Sequence, residues 1–353
     1  MKNNLNISKN TKIYVLAPAC TATGGPELLH QLVYILNKQG LNAYMYYTPL
    51  DIPNPVHKAY YKYNNPFNNE IQDNNDNIII SSEQYKDVIL LSGFKSIQKI
   101  IWWLSVDNFY KSMYIERSSH SFMIRALNKL SKLIVKKPVF DLSEEAMKYY
   151  KNINIKDLPF LMNVNLHLVQ SHYALEHLSN QRIDNIDYLS DYLNDDYLNI
   201  SDISTEMKEN IVLYNPKKGY KFTHQLITNN KNINFKPIEN MNRDEVIDIM
   251  KSSKVYIDFG NHPGKDRMTR EAAMLGCCII TGKKGSSYFY DDVSIDKSYK
   301  FEDKSSNNKD VINKIYYCID DYKKAIDDFE IYRNRIANEK IKFIEDVKKI
   351  FMK

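Results

Sequence analysis

Two similar successions of short apolar strands, turns and helices constrain this chain more than any other feature of its sequence. In the first, an apolar strand at residues 13–17 runs into a turn at 18–25, and a helix follows from Pro26 and ends at Gly40. Its apolar residues recur at helical spacing, and a second strand follows at 43–47. Strand, turn, helix and strand in this order form a βαβ unit, which closes right-handed into a parallel sheet.

The second succession repeats this order after a polar segment at residues 184–209. It predicts strands at 211–214, 233–237, 255–259 and 278–281, with helices between them that include 243–252, capped by Asn242, and 268–275. A chain of 353 residues also exceeds what one hydrophobic core usually holds. We therefore predict an α/β protein with two doubly wound, Rossmann-like domains facing a cleft, at residues 1–195 and 210–330, and a C-terminal helix at 331–353 that returns to the first domain.

The rest of the first domain is predicted with shorter elements. Apolar runs indicate strands at 78–80, 88–92, 100–105 and 166–171, and residues 172–178 begin a helix. Residues 53–76 are polar and contain several prolines, which is typical of a long loop. Residues 119–135 show the periodicity of an amphipathic helix.

Charge and composition exclude several classes of protein. The net charge is +5, with basic and acidic residues mixed throughout, so no basic stripe of a nucleic-acid binder is present in the sequence. This excess is compatible with anionic substrates or with peripheral contact to an anionic membrane. The N-terminal residues lack the apolar stretch of a signal peptide, and no apolar run has the length of a membrane span. The four cysteines contain no C-x-x-C, which predicts a reducing, cytoplasmic location and no zinc site.

One polar segment near the C-terminal end has the composition of an anion site. Gly264 begins a turn that leads into a helix, and the segment carries three cations, at Lys265, Arg267 and Arg270. Backbone N–H groups at a helix start attract anions, and the carboxyl edge of a parallel sheet is where ligands bind. The competing interpretation is a solvated helix start with local ion pairs.

Two further groups accompany this segment. Lys217 and Lys218 precede Gly219 in the turn after the first strand of the second domain, where they either contact a phosphate or are ordinary surface residues. His262 lies within the candidate anion-binding turn, where it either contacts a ligand or has a structural role.

The turn Gly24-Gly25-Pro26-Glu27 and the block at residues 256–282 resemble the GT-B glycosyltransferases, in particular the retaining group with an E-x7-E signature and the bacterial transferases that build capsular or surface polysaccharides. Glu271 matches the glutamate that binds the donor ribose in that family. Pro263 occupies the position of the first glutamate, so the resemblance leaves the stereochemical outcome open. It also implies that a basic residue at Lys217 or Lys218 reaches the diphosphate.

The resemblance assigns roles to the first domain as well. Gly24 and Gly25 would let a substrate approach the backbone, with Glu27 binding hydroxyl groups. Asp107 is the expected base for the acceptor hydroxyl, with His120 as a further participant. Trp102 or Trp103 would stack on a sugar; alternatively, Asp107 turns the chain and the two tryptophans fill the core.

The function that the resemblance implies is sugar transfer from a nucleoside-diphosphate sugar to a glycan or a lipid-linked acceptor in surface polysaccharide synthesis. No metal ion or other cofactor is expected, and the enzyme would act in the cytoplasm or at the inner face of the plasma membrane. Two alternatives stay open: a protein that binds nucleotide sugars without catalysis, and another two-domain enzyme such as an epimerase or a transferase of a different group to a glycan.

Overall fold

The chain forms two compact units. The computed structural model describes residues 5–135, 140–198, 206 and 208–352. The first unit contains the residues up to Ser190 and those from Phe343 onward, and the second unit is Asp191–Lys342. Asp191, the first residue of the second unit, lies within the polar segment at residues 184–209. Residues 199–205 and 207 of the predicted linker lie outside the described residues.

The first unit is built on a parallel sheet with the order β2-β1-β3-β4-β5-β6 among the described residues. Its strands are β1 (Lys12–Pro18), β2 (Asn42–Thr48), β3 (Ile78–Ser82), β4 (Gln98–Trp103), β5 (Leu166–Val169) and β6 (Ile186–Tyr188). The register places Ile13 of β1 beside Ala43 of β2 and Ile78 of β3. The central strands are buried, as expected for strands that have helices on both faces.

The helices of the first unit connect these strands. They are α1 (Gly24–Lys38), α2 (Tyr85–Ser92), α3 (Val106–Arg117), α4 (Ser119–Val135), α5 (Leu142–Tyr149) and α6 (His172–Asn180). The predicted helix at 119–135 is confirmed with its bounds. The predicted strand at 88–92 is wrong, because these residues form the end of α2. Val88 and Leu91 are buried and the two residues between them are exposed, which is the pattern of a helix.

The second unit is built on a parallel sheet with the order β10-β9-β7-β8. Its strands are β7 (Glu209–Tyr214), β8 (Asn234–Pro237), β9 (Ser253–Asp258) and β10 (Cys278–Thr281). Its helices are α7 (Asp195–Leu198), α8 (Tyr220–Asn229), α9 (Arg243–Ser252), α10 (Arg267–Met274), α11 (Asn308–Asp320), α12 (Tyr322–Ala325) and α13 (Glu330–Ala337). The predicted cap of α9 is confirmed: the Asn242 side chain accepts from the Glu245 N–H at 3.1 Å, and Glu245 accepts from the Asn242 N–H at 2.6 Å.

The last helix, α14 (Glu339–Phe351), leads back to the first unit. The ring of Phe343 lies 6.2 Å from the ring of Trp102, and Lys349 Nζ lies 2.6 Å from Asp187 Oδ1. Of the predicted C-terminal segment 331–353, the final residue lies outside the described residues. Within the described part of the chain, no helix combines the length and the apolar character that crossing a bilayer requires.

Candidate functional site

The order of the strands in the second sheet marks one position as a ligand site. The chain leaves β7 to form β8 on one side and then returns to form β9 on the other. The connections after β7 and β9 therefore start side by side at the carboxyl edge of the sheet and continue in opposite directions. Open α/β sheets bind ligands at such a switch point. The first loop contains Lys217 and Lys218, and the second contains residues 259–266.

These two loops touch through their backbones. Gly219 has a φ of +52° and Gly260 a φ of +99°, both in the region that favours glycine. A Cβ atom on Gly219 would lie 2.1 Å from the carbonyl oxygen of Phe259, and one on Gly260 would lie 2.4 Å from the nitrogen of Gly219. Neither position has room for a side chain, so the pair of glycines fixes the spacing of the two loops.

Lys218 is held at this switch point by two carboxylates. Its ammonium group contacts Asp266 and lies 3.5 Å from Asp258 Oδ2. Asp258 ends β9, and Asp266 caps α10 by accepting from the Met268 N–H at 3.2 Å. Burial alone would lower the pKa of Lys218, but the two carboxylates outweigh it and raise that pKa. Lys218 is therefore a fixed positive charge, with 23% of its side chain still exposed.

Asp258, His262 and Asp266 form a group that could hold a metal ion, because one ligand atom from each lies within 4.8 Å of the others. The imidazole of His262 is buried, with its Nδ1 atom 3.4 Å from Asp266 Oδ2. The ammonium group of Lys218 already lies against both carboxylates, so a divalent cation would have to displace it. In this arrangement the ammonium group of Lys218 compensates the charge of the two carboxylates in place of a metal ion.

Arg270 and Lys265 belong to a separate buried ion-pair network. Arg270 lies 2.5 Å from Asp191 Oδ2 and 2.6 Å from Glu339 Oε2, and Lys265 lies 2.7 Å from Glu339 Oε1. The Arg270 side chain is fully buried. The prediction that Arg270 is one of the cations of an anion site is therefore wrong in its physical basis, since its guanidinium group is enclosed by the two carboxylates. The network connects α10 to the first residue of the second unit and to Glu339 near its end.

Arg267 and Glu271 lie one turn apart on α10. Their Nε and Oε1 atoms are 3.6 Å apart, and their side chains are 20% and 12% exposed. Burial raises the pKa of Glu271, opposed chiefly by the positive charge of Arg267. Arg243 also acts on Glu271 electrostatically, and its guanidinium carbon lies 5.2 Å from the ring centre of Tyr197. Sequence reasoning missed Arg243, which appeared only as an ordinary first residue of α9.

The loop after β10 supports the same region. Gly285 has a φ of +62°, and a Cβ atom there would lie 2.0 Å from the carbonyl oxygen of His262. The Ser286 hydroxyl donates to the carbonyl oxygen of Gly264 at 2.6 Å. His262 and Gly264 therefore have structural partners within the site, and the backbone around them is fixed from a third loop.

The first unit has a corresponding switch point between β1 and β3. The turn before α1 contains Gly24 and Gly25, and a Cβ atom on Gly25 would make only ordinary contact, 3.8 Å from Leu104. Glu27 lies in the first turn of α1, where the Tyr63 hydroxyl donates to it at 3.3 Å and Lys62 lies 3.7 Å away.

Glu83 directly follows β3 at this first switch point. Its carboxylate accepts from the Leu104 N–H at 2.9 Å, and its side chain is buried. Burial raises the pKa of Glu83 to about 7, although hydrogen bonds from backbone N–H groups oppose the rise. Sequence reasoning missed this residue; the available signal was an acid two serines after the apolar run at 78–80.

Asp107 and His120 have different surroundings. Asp107 lies in the first turn of α3, where it is buried and accepts from the Tyr173 hydroxyl at 2.9 Å. Burial raises the pKa of Asp107. His120 is exposed on α4, with its Nδ1 atom 2.6 Å from the Tyr114 hydroxyl.

Both tryptophans are fully buried, so the expected stacking of Trp102 or Trp103 on a sugar is wrong. Trp102 donates to the carbonyl oxygen of Leu189 at 3.1 Å, and Trp103 donates to His167 Nδ1 at 3.0 Å. These side chains fill the core of the first unit, as the competing interpretation held.

No protein-family model matches the chain, and neither does the sequence of any curated protein. Solved structures do match it along nearly its whole length. HepE (Alr3699) of Anabaena, solved in complex with UDP-glucose, has a TM-score of 0.54 at 12% identity, over 96% of this chain and 98% of that one. The lipopolysaccharide outer core galactosyltransferase WaaB has a TM-score of 0.53 at 11% identity, over 96% and 99%. Sucrose-phosphate synthase of Thermosynechococcus elongatus has 0.52 at 12%, over 97% and 95%.

The chain has a GT-B fold. The predicted architecture of two Rossmann-like domains is thereby confirmed. Within the second GT-B unit, the structure brings Lys218 together with the turn that contains His262. Lys217, which precedes Lys218 in the same loop, has an exposed side chain.

Proposed function

We propose that this chain is a glycosyltransferase, which moves a sugar from a nucleoside-diphosphate sugar to a glycan or a lipid-linked acceptor in surface polysaccharide synthesis. The observation that carries the proposal is the position of Lys218, a fixed cation at the switch point of the second sheet. The folds of HepE, solved with UDP-glucose, and of the galactosyltransferase WaaB support the same reaction class.

The second unit would bind the donor. A nucleoside diphosphate carries its negative charge on the phosphates, which suits the ammonium group of Lys218 and the guanidinium group of Arg267. As the bond between the anomeric carbon and the phosphate oxygen breaks, the diphosphate gains negative charge. A preorganised positive group at that position typically stabilises the transition state by ~3–4 kcal/mol. Glu271 would accept hydrogen bonds from the ribose hydroxyl groups.

The first unit would bind the acceptor and remove its proton. The acceptor oxygen forms the new bond to the anomeric carbon, and its proton passes to a base. We assign this role to Asp107, since burial raises the pKa of its carboxyl group and strengthens it as a proton acceptor once ionised. Gly24, Gly25, Glu27 and His120 stay predicted contacts of the substrates.

The place of action is the cytoplasm, at the inner face of the plasma membrane. All four cysteines are free thiols, as a reducing compartment allows. A lipid-linked acceptor would be held in that membrane, and capsular polysaccharide is the product class that fits the resemblance.

A thermal-shift panel of nucleotide sugars tests the donor assignment. A donor present at 100 times its dissociation constant should raise the free energy of unfolding by about 2.7 kcal/mol. Arg267→Ala and Glu271→Ala should each weaken donor binding by about tenfold to a hundredfold, since hydrogen bonds to charged groups contribute about 1.5–3 kcal/mol. Lys251→Ala is the matched control, because Lys251 is an exposed cation of α9 in the same unit and has no assigned contact to the donor. Normal donor affinity in both α10 variants would refute the assignment.

A turnover assay tests catalysis separately. Asp107→Asn should lower turnover by about a hundredfold to ten-thousandfold, the usual contribution of a general base, and leave donor affinity unchanged. The competing function is nucleotide-sugar binding without transfer, which Pro263 favours because it replaces the first glutamate of the family signature. Donor binding with neither transfer nor donor hydrolysis would establish that function instead.

A further inference from the structure

Helix α4 exposes a continuous apolar face. Its large apolar side chains with high exposed fractions are Phe122 (68%), Met123 (51%), Leu127 (43%), Leu130 (57%) and Leu133 (77%). At 3.6 residues per turn, these five positions fall within a sector of roughly 140°. Among the described residues, no other helix exposes more than two large apolar side chains. Exposed apolar residues are ordinary when scattered, but a contiguous patch marks an interaction surface.

The opposite face of α4 holds the helix to the first unit. Ser121, Ile124 and Asn128 are buried on that face. The Ser121 hydroxyl donates to the carbonyl oxygen of Ser118 at 2.7 Å, and the Asn128 amide exchanges two hydrogen bonds of 2.9 Å with the backbone of Phe140. The apolar face is therefore presented outward by a helix whose other side is fixed.

The charge on α4 identifies what covers this face. The helix sequence contains Arg125, Lys129 and Lys132 and has no aspartate or glutamate. On the helical wheel, Arg125 and Lys129 lie along one edge of the apolar sector. A cationic border beside an apolar face complements an anionic lipid surface, where the apolar side chains enter the acyl boundary and the cations meet the headgroups.

We infer that α4 is a membrane-docking helix, which lies in the plane of an anionic bilayer surface with its apolar face inserted. The helix is too short in apolar sequence to span the bilayer, so it binds the interface reversibly. This inference gives the membrane contact of the proposed function a defined surface, and a vesicle test of it does not depend on sugar transfer.

Vesicle cosedimentation of the full chain tests the inference. Binding to phosphatidylcholine vesicles with 30% phosphatidylglycerol should exceed binding to pure phosphatidylcholine by at least about tenfold and should weaken as salt is added. The double variant Arg125→Gln/Lys129→Gln should bind the anionic vesicles about 30-fold more weakly, because each cation contributes about fivefold to the affinity. The double variant Phe122→Ser/Leu133→Ser should bind both vesicle types at least about tenfold more weakly, because it removes apolar area that would enter the bilayer.

Ile331→Ser/Ile341→Ser is the matched control, because it removes two equally exposed apolar side chains from other helices. It should leave vesicle binding unchanged, and circular dichroism should show that all variants keep the fold. Absence of vesicle binding, or equal loss in the control, would overturn the inference. Self-association of the chain that the α4 variants abolish, without vesicle binding, would also overturn it in favour of a second copy as the partner.

Discussion

Two groups of buried ionisable side chains, one in each unit, are shifted in opposite ways. In the first unit, burial dominates and shifts the pKa of each group towards its uncharged form, as at Glu83, Asp107, His30, His167 and His177. In the second unit, neighbouring charges outweigh burial and hold the groups in their charged forms, as at Lys218, Asp266, Asp191 and Arg270. The first arrangement keeps the three histidines neutral and brings the pKa of Glu83 to about 7, and the second keeps buried charges paired with one another.

Lys208 shows what the second arrangement requires. This buried lysine belongs to the second unit, and its ammonium group donates to the carbonyl oxygens of Met250, Ser253 and Leu275 at 2.7–3.0 Å. Burial lowers the pKa of Lys208, which is the same shift towards the uncharged form that burial causes at the groups of the first unit. The carboxylates beside Lys218, rather than the unit that contains it, therefore keep that lysine charged.

The largest effect should come from breaking the buried network. Arg270→Gln removes the partner of Asp191 and Glu339 and should lower the free energy of unfolding by about 3–5 kcal/mol, because it leaves buried carboxylates uncompensated. Urea denaturation measures the loss. Arg335→Gln in α13 is the control and should cost less than about 1 kcal/mol, because its ion pair with Asp291 is 45% and 56% exposed. Similar costs for the two variants would contradict the distinction between buried and partly exposed pairs.

The second prediction concerns the pH dependence of Glu83. Its pKa is raised from 4.5 to about 7 in the folded protein, so the folded state keeps a proton that the unfolded state releases. The contribution of this group to the free energy of unfolding is therefore lost as pH rises from about 4.5 to 7. The loss is about 3 kcal/mol, because each pKa unit corresponds to about 1.4 kcal/mol. Glu83→Gln lacks this titration, so urea denaturation between about pH 4.5 and 7 should show its free energy of unfolding rising by that amount relative to the wild type. A constant difference between the two proteins would show that Glu83 is ionised throughout.

A third prediction has the opposite sign. Burial lowers the pKa of His177 from 6.5 to about 4, and its Nε2 atom lies 2.9 Å from the Tyr110 hydroxyl. Stability from neutral His177 is present above pH 6.5 and is lost as pH falls towards 4, by up to about 3 kcal/mol. His177→Gln should flatten the acid limb of the stability curve by that amount. An acid limb that this variant leaves unchanged would mean that His177 is already protonated in the folded state.

The smallest effect is expected at the surface. Lys340 and Asp195 form an ion pair of 2.8 Å, but both side chains are more than a third exposed. Lys340→Gln should lower the free energy of unfolding by less than about 1 kcal/mol, since water and salt screen an exposed pair. A loss comparable with that of Arg270→Gln would show that distance matters more than burial in this unit.

Local patterns predicted much of the fold. The bounds of α4 and α9 and the cap at Asn242 follow from periodicity and from side-chain hydrogen bonds within a few residues. The strand predicted at 88–92 was wrong because a short apolar run fits either a buried strand or a helix.

The site was predictable in position but not in detail. Strand–turn–helix order indicated the loop that contains Lys218 and the loop and helix that lead to Glu271, because both segments follow strands at a sheet edge. The partners of these residues come from distant parts of the sequence: Asp191 and Glu339 enclose Arg270, and Leu104 fixes Glu83. Such long-range pairing leaves no local pattern, so it could not be inferred from one sequence.

The glycines at 219 and 260 have a mechanical consequence for any nucleotide that binds here. Their backbones abut with no side chain as a spacer, so a larger residue at either position would have to push the two loops apart. The backbone of Lys218, next to Gly219, therefore depends on both glycines for its position, while Asp258 and Asp266 hold its ammonium group. Substitutions that change donor preference should therefore fall at residues outside this contact, while positions 219 and 260 stay glycine.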